Sequence, residues 1–148
     1  MILNLEVVER CSKETEETIA VTEAAFTNTP ISYLKENQSE FIFAECTQFQ
    51  DIRIDEMAVE YDDAFRLYTA LFGLKVQKKH GETIRHYLKE NVKSALGSSS
   101  ASFSMQEGLW ELNVAVDCLA GFNEQMTIQQ VYELLYQFVA QLLETIEL

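Results

Sequence analysis

Proline occurs once in this chain of 148 residues, glycine five times and cysteine three times. Each scarcity excludes something. The glycines stand at 73, 81, 97, 108 and 121, never close enough together for a phosphate-cradling loop or a dinucleotide turn. No G-x-S-x-G elbow and no kinase signature is present. Cys11, Cys46 and Cys118 are odd in number and widely spaced, which is no disulfide framework. They read as buried thiols, suited to a reducing compartment. None lies in a C-x-x-C pair. His80 and His86 are six residues apart, so on a helix they point to different faces and make a poor metal pair. The expectation is therefore no catalytic set, no metal and no cofactor legible in the residues.

Positive charge is also scarce. Twenty-four acidic residues face 11 basic ones, for a net charge of −13. Phosphate backbones and anionic membrane surfaces repel such a chain, so neither nucleic acid nor membrane is an expected partner. No apolar run approaches the roughly 20 residues of a membrane helix. The opening MILNLEVVER has no basic region and no small-residue cleavage site, so a cytoplasmic protein is expected. What the chain does have is bulk: 47% apolar residues, with nine Phe, six Tyr and Trp110. That is enough to bury the core of a single domain over 1–148.

The charge is uneven. Residues 109–148 hold six acids and no base, whereas residues 75–108 hold six bases against three acids. Lys75, Lys78, Lys79, Arg85, Lys89 and Lys93 form this basic island, with 85, 89 and 93 along one helix stripe. It is a candidate site for an acidic peptide or a small anion. The competing reading pairs it with Glu56, Glu60 and Asp63 of a preceding antiparallel helix. The adjacent carboxylates Glu16–Glu17, Asp55–Glu56 and Asp62–Asp63 read as solvated helix surface, since neighbours on a helix point about 100° apart.

Periodicity supplies the elements. MILNLEVVE alternates as a half-buried strand. Ser12 caps an expected helix over SKETEETIAVTEAAF, and ISYLKEN reads as a short strand before another over 39–49, with QDIRID as a candidate extension of the pattern. Asp55 caps an expected helix whose apolar positions run from 57 to 72, closed by Gly73. A further helix is expected over 82–96. Apolar parity flips across Gln106-Glu107-Gly108, which predicts a hairpin of strands 101–105 and 109–117 with Trp110 in the core beside Leu112, Val114 and Val116. Thr127 caps a last helix to about 147. The fold class expected is α+β, an antiparallel sheet of four or five strands with three or four helices mainly on one face.

In size and charge alone the chain is similar to secretion chaperones and toxin-immunity proteins. The expected function is a non-enzymatic, acidic protein-binding module of chaperone, immunity or regulatory type, with a basic protein as the favoured partner. The alternative is a small-molecule or enzymatic domain whose site assembles from distant residues. A homodimer is expected through the last helix, because Tyr132, Tyr136 and Leu143 widen its apolar stripe beyond one sheet face. Tyr132 and Tyr136 therefore join the basic island as candidate binding residues.

Overall fold

The computed structural model describes residues 2–92 and 99–146. Among these residues seven strands form one antiparallel sheet: β1 Val7–Ser12, β2 Thr18–Val21, β3 Glu40–Glu45, β4 Glu56–Asp62, β5 Leu67–Leu74, β6 Ser100–Ser104 and β7 Leu109–Ala115. Their order across the sheet is β2-β1-β3-β4-β5-β7-β6. Three α-helices accompany them: α1 Tyr33–Glu36, α2 Gly81–Asn91 and α3 Ile128–Thr145. The class is α+β with an antiparallel sheet, but the strands exceed the four or five expected.

The extra strands come from segments that looked helical. The largest correction is 55–72, which is not a helix but the β4–β5 hairpin. Met57, Val59 and Tyr61 are buried, as are Tyr68, Ala70, Phe72 and Leu74. That is strict alternation, and positions 57, 61, 68 and 72 fit either period. The turn between them decides. The Asp62 carboxylate accepts the backbone N–H of Ala64 at 2.9 Å and of Phe65 at 3.3 Å, and Arg66 takes a left-handed φ of 55°. An Asx turn stabilises the reversal locally, and the β-branched and aromatic flanks suit a pleated sheet.

The expected helix after Ser12 is likewise a hairpin, β1–β2, with Glu16 at φ 63° in its turn. Thr18-Ile19-Ala20-Val21 is too β-branched for a helix with so thin an apolar face. Its register runs Arg10 with Ala20 and then Cys11 with Thr18. Ile19 is thus an extra residue on the edge strand, a β-bulge. ISYLKEN folds as the single turn α1 rather than a strand, and 47–52 is a 3-10 turn rather than a strand extension.

The C-terminal half follows its sequence pattern closely. β6 and β7 pair as a hairpin whose turn holds Gly108 at φ 68°, a conformation that favours glycine. Trp110 is buried, stacked edge-on with Phe103 at 5.3 Å, and its indole N–H donates to the Gln77 carbonyl at 3.1 Å. Thr127 caps α3 with a full capping box shared with Gln130, as the S/T-x-x-Q spacing allows. The helix expected at 82–96 is α2, which ends earlier, at Asn91, with Val92 out of helical geometry at φ −121°; Lys93 lies outside the described residues.

The helix layer differs from the one expected. α2 packs against β6 and α3, while α3 rests on the 3-10 turns at Ala24–Asn28 and Thr47–Ile52. α3 reaches the sheet through Tyr132, whose hydroxyl donates to the carbonyls of Met57 (3.0 Å) and Ile42 (3.3 Å). At the rim of the same layer, Glu40 is buried and takes two 2.9 Å hydrogen bonds from Arg10 and one of 2.8 Å from the Tyr33 hydroxyl. The Arg10 bonds hold its carboxyl below the usual glutamate range, against the opposing effect of burial. Among the described residues no helix is long and apolar enough to cross a membrane.

Candidate functional site

The sheet has two unlike faces, and the pairing register defines both. Ile42, Val59, Ala70 and Val114 stand opposite one another across β3, β4, β5 and β7 and are fully buried. The alternate residues form the second face, which is partly exposed. One row across it is apolar: Phe43 pairs with Ala58, and Ala58 with Leu71. Two residues along the same strands runs an acidic row. Glu45 pairs with Glu56, and Gly73 of β5 pairs with Glu111 of β7. Because Met57 pairs with Phe72, Glu56 and Gly73 share a level and the row is continuous.

Gly73 has a structural task here. A Cβ at this position would stand 3.1 Å from the Leu109 side chain, closer than most carbon neighbours tolerate. Leu109 instead folds over the bare backbone. Together with Glu56, Leu71, Glu111 and Asn113 these two residues line a shallow groove of ≈ 320 Å³.

The strand positions of this face carry charge of one sign, although Lys13, just beyond β1, reaches β4 by donating to the Tyr61 carbonyl at 2.6 Å. Glu9, Glu45, Glu56, Glu60, Asp62 and Glu111 occupy its strand positions, and no Lys or Arg does among the described residues. Lys75, just beyond β5, is committed to Asp55 at 2.6 Å and to Gln50 at 3.2 Å. The Glu56 carboxyl is pushed above the usual glutamate range, first by desolvation and then by Asp55, Glu45 and Glu107. Like charges opposite each other on neighbouring strands destabilise a sheet, so local stability does not account for this row.

The basic island maps elsewhere. The helix meant to neutralise it does not exist, so the expected pairing with Glu56, Glu60 and Asp63 gives way to other contacts. Lys75 meets Asp55, and the Arg85 guanidinium lies over the Trp110 ring at 5.2 Å. Lys78, Lys79 and Lys89 are exposed. Lys75, Lys79 and His80 line an open groove with Arg53, Asp55 and Glu107. Two carboxylates within it reduce its pull on an anion. Lys93 lies outside the described residues.

Tyr132 and Tyr136 are placed in the core, at 0% and 8% exposure. Most of the surplus apolar arc of α3 is therefore covered within one chain, with Leu143 half-buried, and the expectation of a dimer loses its main support. Among the described residues no three His, Cys, Asp or Glu side chains converge to hold a metal.

One polar cluster escaped the sequence. Tyr68, fully buried, donates its hydroxyl to Glu124 at 3.0 Å, and its N–H reaches Asp117 at 2.6 Å. Burial and Glu124 raise the Asp117 carboxyl, partly offset by the Tyr68 N–H. Lys35 approaches Glu124 at 3.6 Å and the Tyr61 ring at 5.9 Å. The cluster ties β5 to the segment before α3, and the Tyr68 hydroxyl has no approach from solvent.

No protein-family model, curated protein or solved structure matches this chain.

Proposed function

We propose that the chain is a non-enzymatic protein-binding module and that its partner is basic, docking on the second face of the sheet. The observation that carries this reading is the apolar row Phe43–Ala58–Leu71 running beside carboxylates of a single sign. Apolar surface rimmed by polar groups is the usual character of a protein contact. A one-signed rim selects a partner of the other sign and speeds its encounter. Retaining Glu45 directly opposite Glu56 lowers stability, and Lys75 offsets only part of that inside the chain. The three cysteines, all free thiols, suit a reducing setting such as the cytoplasm.

The competing reading, a small-molecule or enzymatic site, finds its best geometry in the Tyr68–Asp117–Glu124 cluster. The Tyr68 ring is fully enclosed and its hydroxyl is engaged by Glu124, which leaves little for a substrate to meet.

The test is co-purification from cells that make the protein, comparing the native chain with the double charge reversal Glu45→Lys, Glu56→Lys. A basic protein retained by the native chain and lost by the variant supports the reading. A partner set that is indifferent to the reversal sinks it.

A further inference from the structure

Resting on that reading, we infer that the partner presents a basic amphipathic helix lying across the strands, not an extended segment and not a second copy of this chain. The acidic row holds one position per strand: Glu45 on β3, Glu56 on β4, Gly73 on β5 and Glu111 on β7. Neighbouring strands are about 4.8 Å apart, and a helix climbs about 5.4 Å per turn. A helix laid across the sheet thus sets one residue of a stripe over each strand in turn. Cations at i, i+4 and i+11 meet Glu45, Glu56 and Glu111, with a drift of roughly 2 Å over the row that long side chains absorb.

The missing carboxylate sharpens the pattern. Between Glu56 and Glu111 the row is interrupted by Gly73, over which the Leu109 side chain lies, an apolar spot in a groove otherwise edged by Asp55, Glu56, Glu107 and Glu111. The residue facing it, at i+7, should be aliphatic. A second stripe beside the cations meets Phe43, Ala58 and Leu71, about 7 Å away along the same strands. The partner's signature is therefore cation, cation, aliphatic, cation along one stripe, with an apolar stripe next to it.

Other occupants fit less well. An extended segment laid across the strands repeats on one face every 6.8 Å or so, and after two strands it is about 4 Å out of step. Adding it to the edge instead meets the bulge at Ile19 and a strand of only four residues. A second copy brings a charge of −13 against −13. Its basic helix α2 buries Ile84, Tyr87 and Leu88 in its own core, so it has no apolar stripe to offer.

The probe is a synthetic peptide of about sixteen residues, with Lys at i, i+4 and i+11, Leu at i+7 and along the adjoining stripe, and Ala elsewhere. Its control has the same composition in scrambled order. Both are titrated into isotope-labelled protein and followed by amide chemical shifts. The patterned peptide should bind roughly tenfold more tightly than the control, the return expected from a few exposed charge pairs with their apolar contacts. Its shifts should centre on Phe43, Ala58, Leu71 and Gly73, and it should become helical on binding. Glu111→Gln, which keeps the fold, should weaken it, and Glu45→Lys with Glu56→Lys should abolish it. Equal binding of the scrambled control overturns the helix while leaving a basic partner standing. Failure of both peptides, with a native basic partner still lost on the double charge reversal, overturns the helix alone. Failure of both with no such partner overturns the face as well.

Discussion

Glu45 and Glu56 face each other directly across β3 and β4. Asp55 and Glu107 add to the repulsion at Glu56, and Lys75, itself paired with Asp55, offsets only part of it. Replacing Glu56 by Gln keeps the shape and removes one charge. The variant should be more stable in urea by about 0.5 kcal/mol, within the range of cross-strand pairs. The same substitution should weaken the basic partner, the opposition of stability and activity expected at a binding surface. A variant both less stable and equally competent to bind contradicts the role given to this row.

The pH dependence separates this row from the Glu40 network. Glu40 has its carboxyl lowered by Arg10. The folded chain binds its proton less readily than the unfolded chain, so its contribution is present above the ordinary glutamate range and is lost as pH falls through the folded value. Glu40→Gln should cost about 1–2 kcal/mol at neutral pH, with the partial exposure of Arg10 allowed for, and progressively less in acid. Glu56 is raised, which has the opposite sign. The benefit of Glu56→Gln should be largest at neutral pH and vanish as the native carboxylate takes up its proton. Urea midpoints of both variants between pH 7 and 4 show whether the two trends run as described.

Gly81 opens α2 directly against the Trp110 ring. A Cβ there would stand 2.6 Å from the ring carbon Cη2. Its backbone is ordinary right-handed helix, with φ −58°, so alanine carries no backbone penalty and elsewhere in a helix would stabilise by roughly 0.5–1 kcal/mol. Gly81→Ala should nevertheless destabilise by about 1–3 kcal/mol through overpacking. Shifted Trp110 fluorescence should accompany the loss. A stabilised variant with unchanged emission would show that the ring has room to move.

The mass in solution tests how α3 is covered. With Tyr132 and Tyr136 inside one chain, light scattering should give about 17.0 kDa across a hundredfold dilution in moderate salt. Tyr136→Glu should then lower the melting temperature and leave the mass unchanged. A native mass that doubles on concentration points to a contact outside these residues.

How far the sequence could be read depended on which signals were local. The β6–β7 hairpin was legible because a parity flip and Gly108 agree, and α3 because Thr127 and Gln130 mark its start. The hairpin β4–β5 was not, because a row such as 57, 61, 68, 72 fits both periods and only the Asp62 turn breaks the tie. The acidic row was out of reach for a deeper reason. Glu45, Glu56, Gly73 and Glu111 come from four strands, and only register brings them to one level. Composition showed the excess of carboxylates; it could not show that they share a face with Phe43 and Leu71. The burial of Tyr132 was hidden similarly, since its partners are carbonyls 75 and 90 residues away.

The bulge at Ile19 has a consequence beyond the shape of one hairpin. An open sheet ends in a row of unpaired backbone groups, which invites other chains to stack on it and grow into fibres. Here that boundary is four residues long, kinked by an inserted residue, and hemmed by the exposed acids Glu14, Glu16, Glu17 and Glu23. A flat template is missing, and like-charged neighbours are kept off. At this end of the sheet the molecule can display apolar side chains such as Val21, 70% exposed, without the self-templating that an unprotected border would bring. Deleting Ile19 would straighten the border, and the change to look for is thioflavin-positive aggregation in a chain that otherwise remains folded.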